Sequence, residues 1–167
     1  MKVLEIITKL RANPKFKAWR AKNKDAALVH MFIMLDPTQE TKYDVGFYDF
    51  KTERMTSFVV DEELKTVELN ESQEVFKQPG EKIKPLDEKR IKFCFKDACK
   101  RCHELQQEKY KLHTPIKEIV ILQNLECGQV WNITYIAKTF KTLNFKIDAE
   151  TGKVIEDKLH DIFTFDK

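Results

Sequence analysis

Glycine is scarce in this chain, with four in 167 residues. Close backbone approach to a phosphate needs residues without a Cβ, so glycine-rich phosphate cradles and dinucleotide fingerprints are excluded. No apolar run reaches the roughly eighteen residues that cross a bilayer as a helix. There is no H-E-x-x-H, and no serine stands in a nucleophile-elbow setting. Charge of one sign is not in excess: 30 Lys and Arg face 27 Asp and Glu, for a net +3. That mixture favours solubility and does not by itself imply nucleic acid. Residues 1–20 thread Glu5 and several basic residues through their apolar part. They lack the unbroken apolar core and small-residue cleavage site of a secretory signal. The expectation is a cytoplasmic chain with reduced thiols, no membrane partner, no catalytic residue, no metal and no cofactor. High Lys and Glu with little Gly suits a thermophile.

What is present is enough apolar material for a core. Hydrophobic residues make up 42%, and twelve are Phe. The length fits one domain, or two small ones that share a core.

The chain reads as if written twice. Tyr43-Asp44-Val45-Gly46-Phe47 and Trp131-Asn132-Ile133-Thr134-Tyr135 both alternate large apolar with small or polar residues, as half-buried strands do. Their offset is 88 (131 − 43). At that offset the run from His30, "HMFIML", falls on "EIVILQ" from Glu118. Val3, Ile6, Ile7 and Leu10 fall on Ile91, Cys94, Phe95 and Ala98, each set spaced as one helix face. Phe58 to Asp61 falls on Phe145 to Asp148 at 87 (145 − 58), one residue being lost in the turn between.

Each unit therefore predicts a helix and three strands, with a short fourth strand after them. The strands are expected near 27–35, 42–49 and 55–61, and near 117–125, 129–137 and 141–148. Asn13-Pro14 predicts a cap and first-turn proline that split the first helix. Asp87 predicts the N-cap of a second helix running to about Tyr110. The units are expected at 1–68 and 87–167, with a linker at 69–86 in which Pro79-Gly80 signals a turn. Asp148 and Gly152 predict a tight hairpin: the carboxylate takes backbone N–H groups ahead of it, and the glycine takes a positive φ. The matching place near Asp61 has no glycine, with Lys65 opposite Gly152, so a looser or different turn is expected.

Two stretches invite chemistry. "CKRCH", Cys99 to His103, has the C-x-x-C-H spacing of covalent haem attachment. It lies inside a predicted helix, where Cys102 continues the apolar stripe, so it is read as packing. Lys15, Lys17, Arg20, Lys22 and Lys24 surround Phe16 and Trp19, a pattern that can stack bases and hold phosphates. The favoured reading is a helix with its aromatics inward and its lysines in water.

The last third, "VWNITYIAKTFKTLNFKIDAETGKVI", resembles the end of a PepSY-type domain. It has an aromatic-led strand, a hairpin, then a strand closing on a "DA-x-TG-x-V" turn. "YDVGFYDFKTERMTSFVVDEELKTV" is similar but degenerate. The resemblance implies an α+β, cystatin-like fold in tandem: two repeated helix-plus-antiparallel-sheet (α-β-β-β) units. It also implies a binding or inhibitory role. The function expected is a non-enzymatic module for an unknown protein or peptide, using an exposed strand edge. The alternatives are a small-ligand-binding or enzymatic protein with a helix–sheet pocket, and a nucleic-acid accessory working through the Lys15–Lys24 helix.

Overall fold

The computed structural model describes residues 3–35, 38–74 and 82–162, with the side chains of 71–74 outside that description. In chain order they form α1 (Val3–Ala12), α2 (Pro14–Lys22), β1 (Ala27–Met34), β2 (Lys42–Asp49), β3 (Arg54–Asp61) and β4 (Val67–Glu74). A 3₁₀ turn (Glu88–Arg90) follows, then α3 (Phe95–Lys109), β5 (Pro115–Leu125), β6 (Gly128–Ala137), β7 (Lys141–Asp148) and β8 (Val154–Asp161). The fold is α+β. All eight strands join one antiparallel sheet in the order β4-β3-β2-β1-β5-β6-β7-β8.

Strand periodicity decides which side of the sheet the helices cover. Met31, Ile33, Tyr43, Val45, Phe58, Val120, Leu122, Trp131, Ile133 and Phe145 alternate along their strands and are all buried in one core. Period two puts them on a single face. The apolar stripes of α1 (Val3, Ile6, Ile7, Leu10), α2 (Phe16, Trp19) and α3 (Phe95, Ala98, Cys102) join the same core. The rings of Phe16 and Trp19 lie 5.2–5.3 Å from those of Phe47 and Phe58. Phe95 lies between Tyr43 at 6.5 Å and Trp131 at 6.2 Å. Tyr43 thus packs against α3, across the middle of the sheet.

Local signals set the helix ends. Asn13 caps α2, its side chain accepting from Lys15 N, with Pro14 in the first turn. Asp87 caps only the 3₁₀ turn, accepting from Lys89 N. The continuous helix expected from Asp87 is broken: α3 begins at Phe95, because Lys92 N and Phe93 N both donate to Ala149 O instead of continuing a helix. Inside α3 the buried amide of Gln106 donates to Tyr110 O and His113 O and so closes the C-terminus.

The linker expected at 69–86 is shorter than that. β4 takes residues 69–74, where Leu69, Asn70 and Glu74 pair with Phe58, Ser57 and Arg54. Both fourth strands are eight residues long, not short. Pro79-Gly80 lies outside the described residues. From Lys84 the chain is pinned again: Lys84 bridges Asn124, Leu86 N donates to Leu28 O, and Gln129 holds the backbone N–H and C=O of Asp87.

The β7–β8 hairpin is closed as its residues predict. Asp148 Oδ1 accepts from Glu150 N, Thr151 N and Thr151 Oγ1, and Gly152 has φ +75°. The turn after Asp61 is different but not loose. Asp61 accepts from Glu63 N, Lys65 N, Thr66 N and Thr66 Oγ1. Its left-handed residue is Leu64, φ +54°, not Lys65.

A Cβ on Gly152 would stand 2.4 Å from the Phe93 ring, inside contact distance. Gly152→Val therefore meets a backbone penalty and a steric one together, and should cost about 1–3 kcal/mol. Urea unfolding measures this; an unchanged midpoint would contradict it.

Candidate functional site

The sheet's other face has no described helix on it. Strand register places its side chains in rows. One row crosses seven strands as Val59, Asp44, Phe32, Ile121, Asn132, Lys146 and Glu156. The next includes Lys42, Met34, Ile119, Thr134, Asn144 and Lys158. At the β1–β5 seam Phe32, Met34, Ile119 and Ile121 therefore form an apolar centre, each side chain half-buried.

Polar groups flank that centre on both sides. On β6 and β7, Asn144 Nδ2 donates to Asn132 Oδ1 at 2.7 Å and to Thr134 Oγ1 at 2.9 Å. Lys146 and Lys158 both bond Glu156 and hold its carboxyl down to about 2. On β1 and β2, the imidazole of His30 lies over Gly46, where an added Cβ would come within 2.1 Å of the ring. Only glycine leaves that space. Asp44 Oδ1 is enclosed and accepts no hydrogen bond among the described residues, with His30 Nε2 at 3.9 Å. An enclosed acceptor without a donor is costly, and a partner N–H can satisfy it.

The basic helix does not keep its candidates together. Trp19 is 7% exposed and packed on Phe47 and Phe58, so its faces are not available to bases. The Arg20 guanidinium stacks over Phe16, Trp19 and Phe47 and donates to Asn23 O and Ala26 O. Lys15 Nζ donates to Val67 O. Lys17, Lys22 and Lys24 stay exposed on α2 and just past it. Asp148 and Gly152 lie in their turn at the β7–β8 end and belong to folding.

Two hollows border the helices. One of about 50 Å³ lies among Val3, Leu4, Phe93 and Trp131. A polar cleft of about 340 Å³ runs between Trp19, Lys22, Asp49, Arg54 and Thr56. Neither is lined by histidine. Cys99 and Cys102 face Glu118 and Tyr135 beneath α3, and burial with the nearby carboxyl pushes both thiols far above their ordinary range. His103 is exposed. Among the described residues no three metal-ligating side chains come together.

No family model and no curated protein matches the chain in sequence. In fold it is similar to the crystal structure of a "putative lipoprotein" from Clostridium difficile 630. The TM-score is 0.57 over 87% of this chain and 90% of that one, at 17% identity. That likeness concerns backbone architecture. No described helix here is long and apolar enough to cross a membrane.

Sequence reading missed the apolar centre, although a signal was present. "HMFIML" and "EIVILQ" are nearly continuous apolar runs, as in strands buried on both faces, and not the alternation of a half-solvated strand.

Glu118 gives a pH test of the buried cluster. Burial raises its carboxyl, against the pull of the Cys99 thiol and of His103, and Oε1 has no hydrogen-bond partner among the described residues. The folded chain holds this proton more tightly than the unfolded chain does. Stability therefore falls as pH rises from about 4.3 through the raised folded value. Glu118→Gln should be more stable than the parent above that window and nearly equal below it. Urea unfolding across acid and neutral pH reads the difference; a variant weaker at neutral pH would contradict it.

Proposed function

We propose that this chain is a non-enzymatic protein- or peptide-binding module built of two PepSY-like, cystatin-like units in tandem. Its contact surface is the face of the sheet that carries no described helix. The observation that carries the reading is the apolar centre of Phe32, Met34, Ile119 and Ile121 between two polar flanks. An apolar core inside a polar rim is the anatomy of a polypeptide interface. The open acceptor of Asp44 suits a backbone or side-chain N–H at the rim.

Register supports the tandem. Ile33, Tyr43 and Val60 lie side by side in the first half, as Leu122, Trp131 and Ile147 do in the second. This aligns the first strands at 89 (122 − 33) instead of 88, because at 88 the inward Ile33 would match Ile121, which faces away. Left-handed residues also recur at nearly matching places, Glu53 with Phe140 at 87 (140 − 53) and Leu64 with Gly152 at 88 (152 − 64). Each half carries its helices on the same side.

The face is favoured over a strand edge. β8 has a register break at Lys146/Ile147 and carries Glu156, Asp157, Lys158 and Asp161, features that discourage added strands. A cytoplasmic setting is part of the same proposal.

Panning a displayed peptide library on the intact chain tests the reading. Enriched peptides should carry apolar anchors. Phe32→Asp combined with Ile121→Asp should weaken them by about tenfold or more, as loss of a central anchor does. Binding unaffected by a folded double variant would overturn it.

A further inference from the structure

We propose that the contact face selects polypeptide segments that set a cationic side chain, arginine or lysine, on Asp44 next to an apolar anchor on Phe32 and Ile121. The inference rests on the binding-module reading above and names the chemistry that this surface recognises.

Asp44 stands on β2 directly opposite Phe32, which stands opposite Ile121 on β5. The carboxylate and the apolar centre are therefore one strand spacing apart, about 5 Å. The Asp44 side chain is 26% exposed, yet its Oδ1 is enclosed and accepts no hydrogen bond among the described residues. His30 Nε2, at 3.9 Å, is beyond hydrogen-bond reach. Its ring lies over Gly46, two residues along β2, and walls the carboxylate on that side. Lys42, two residues along in the other direction, makes no ion pair with Asp44 among the described residues. Asp44 is thus a partly dehydrated carboxylate with no donor in contact. A neutral N–H can satisfy such an acceptor, but a cation also offsets its charge. Charge-assisted hydrogen bonds are about twice as strong as neutral ones, and attraction grows where water is partly excluded.

Charge along the face points the same way. Beyond Asp44 its row passes through Val59 to Glu68, which is exposed. Asp44 and Glu68 outnumber Lys42 on this flank. On the opposite flank Lys146 and Lys158 share one carboxylate, that of Glu156. The row is therefore acidic at one end, apolar in the middle and basic at the other end. Asp44 and Lys146 are four strand spacings apart in the sheet order, about 19 Å, which is the span of about six residues of extended chain. A segment lying across the strands meets all three zones if it carries a cation on Asp44, apolar residues over Phe32 and Ile121, and a carboxylate near Lys146. A segment of reversed charge meets like charge at both ends, which weakens binding.

Panning a random displayed peptide library tests the proposal, on the intact chain in parallel with Asp44→Asn and Asp44→Lys, each shown to be folded by circular dichroism. Peptides held by the parent should be enriched in arginine or lysine next to an apolar residue. Asp44→Asn should erase that preference. It should also weaken a resynthesised basic peptide by about tenfold, as loss of one charge-assisted hydrogen bond does, and hardly affect the same peptide with alanine in place of its basic residue. Asp44→Lys should turn the preference towards acidic peptides, which a purely structural role of Asp44 would not do. Selected peptides without a basic preference, or a preference unchanged in Asp44→Asn, would overturn the proposal. So would a dimer in sedimentation that Phe32→Asp dissociates, since a second copy would then cover the face. Peptides that depend on Phe32 and Ile121 and are indifferent to Asp44 leave the binding-module reading standing and remove this one. Peptides indifferent to Phe32 and Ile121 remove both.

Discussion

Everything in this fold depends on the antiparallel pairing of β1 with β5. It joins four strands from the first half to four from the second. It is also the shortest ladder, with five register pairs from His30–Gln123 to Met34–Ile119, where β5 and β6 have ten. Backbone hydrogen bonds alone give this seam less than they give its neighbours. Side chains strengthen it from both faces. On the helix side, Ile33 and Met31 lie opposite Val120 and Leu122, all fully buried. Above them Phe95 bridges Tyr43 and Trp131. Arg11 on α1 forks onto both oxygens of Glu88, adding a tie between the halves outside the sheet. The same seam, seen from the open face, is the apolar centre of Phe32 and Ile121. One ladder therefore sets both the unity of the core and the position of the candidate binding face.

Much of the fold was legible because its signals are local. The alternation at Tyr43–Phe47 and Trp131–Tyr135 fixed inward residues, and Asn13-Pro14 fixed a helix break. Asp148 and Gly152 fixed a turn, since a carboxylate and a flexible residue act within a few positions of themselves. What failed to show was non-local. Asp87 carries an N-cap signal and does cap a turn, but Ala149 O, far along the chain, takes the N–H groups of Lys92 and Phe93 and delays α3 until Phe95. The stretch 69–74 reads as polar linker, yet the free edge of β3 makes it a strand. Leu64 shows no propensity for a positive φ, and Asp61 imposes it through four hydrogen bonds.

The candidate sites were less legible than the fold. Aromatics among lysines in α2 match a nucleic-acid pattern, yet packing uses Trp19 and Arg20 on Phe47. Membership of the open face depends on register, and register depends on partners that a single strand does not name. Exposure is hidden in sequence for a simpler reason: Leu112 and Ile116 look like ordinary core residues until the segments that lift them into solvent are known. Gly152 relieves backbone strain where the chain must turn against Phe93.

Native-state hydrogen exchange at the seam tests the central claim most directly. If the two halves are one cooperative body, the hydrogen-bonded amides of residues 30–34 and 119–123 exchange only through global unfolding. Their opening free energy then equals that of urea unfolding. Seam amides that exchange at clearly lower free energy, while the cores of β2–β3 and β6–β7 stay protected, would mean that the halves part and fold independently. That result would contradict the account.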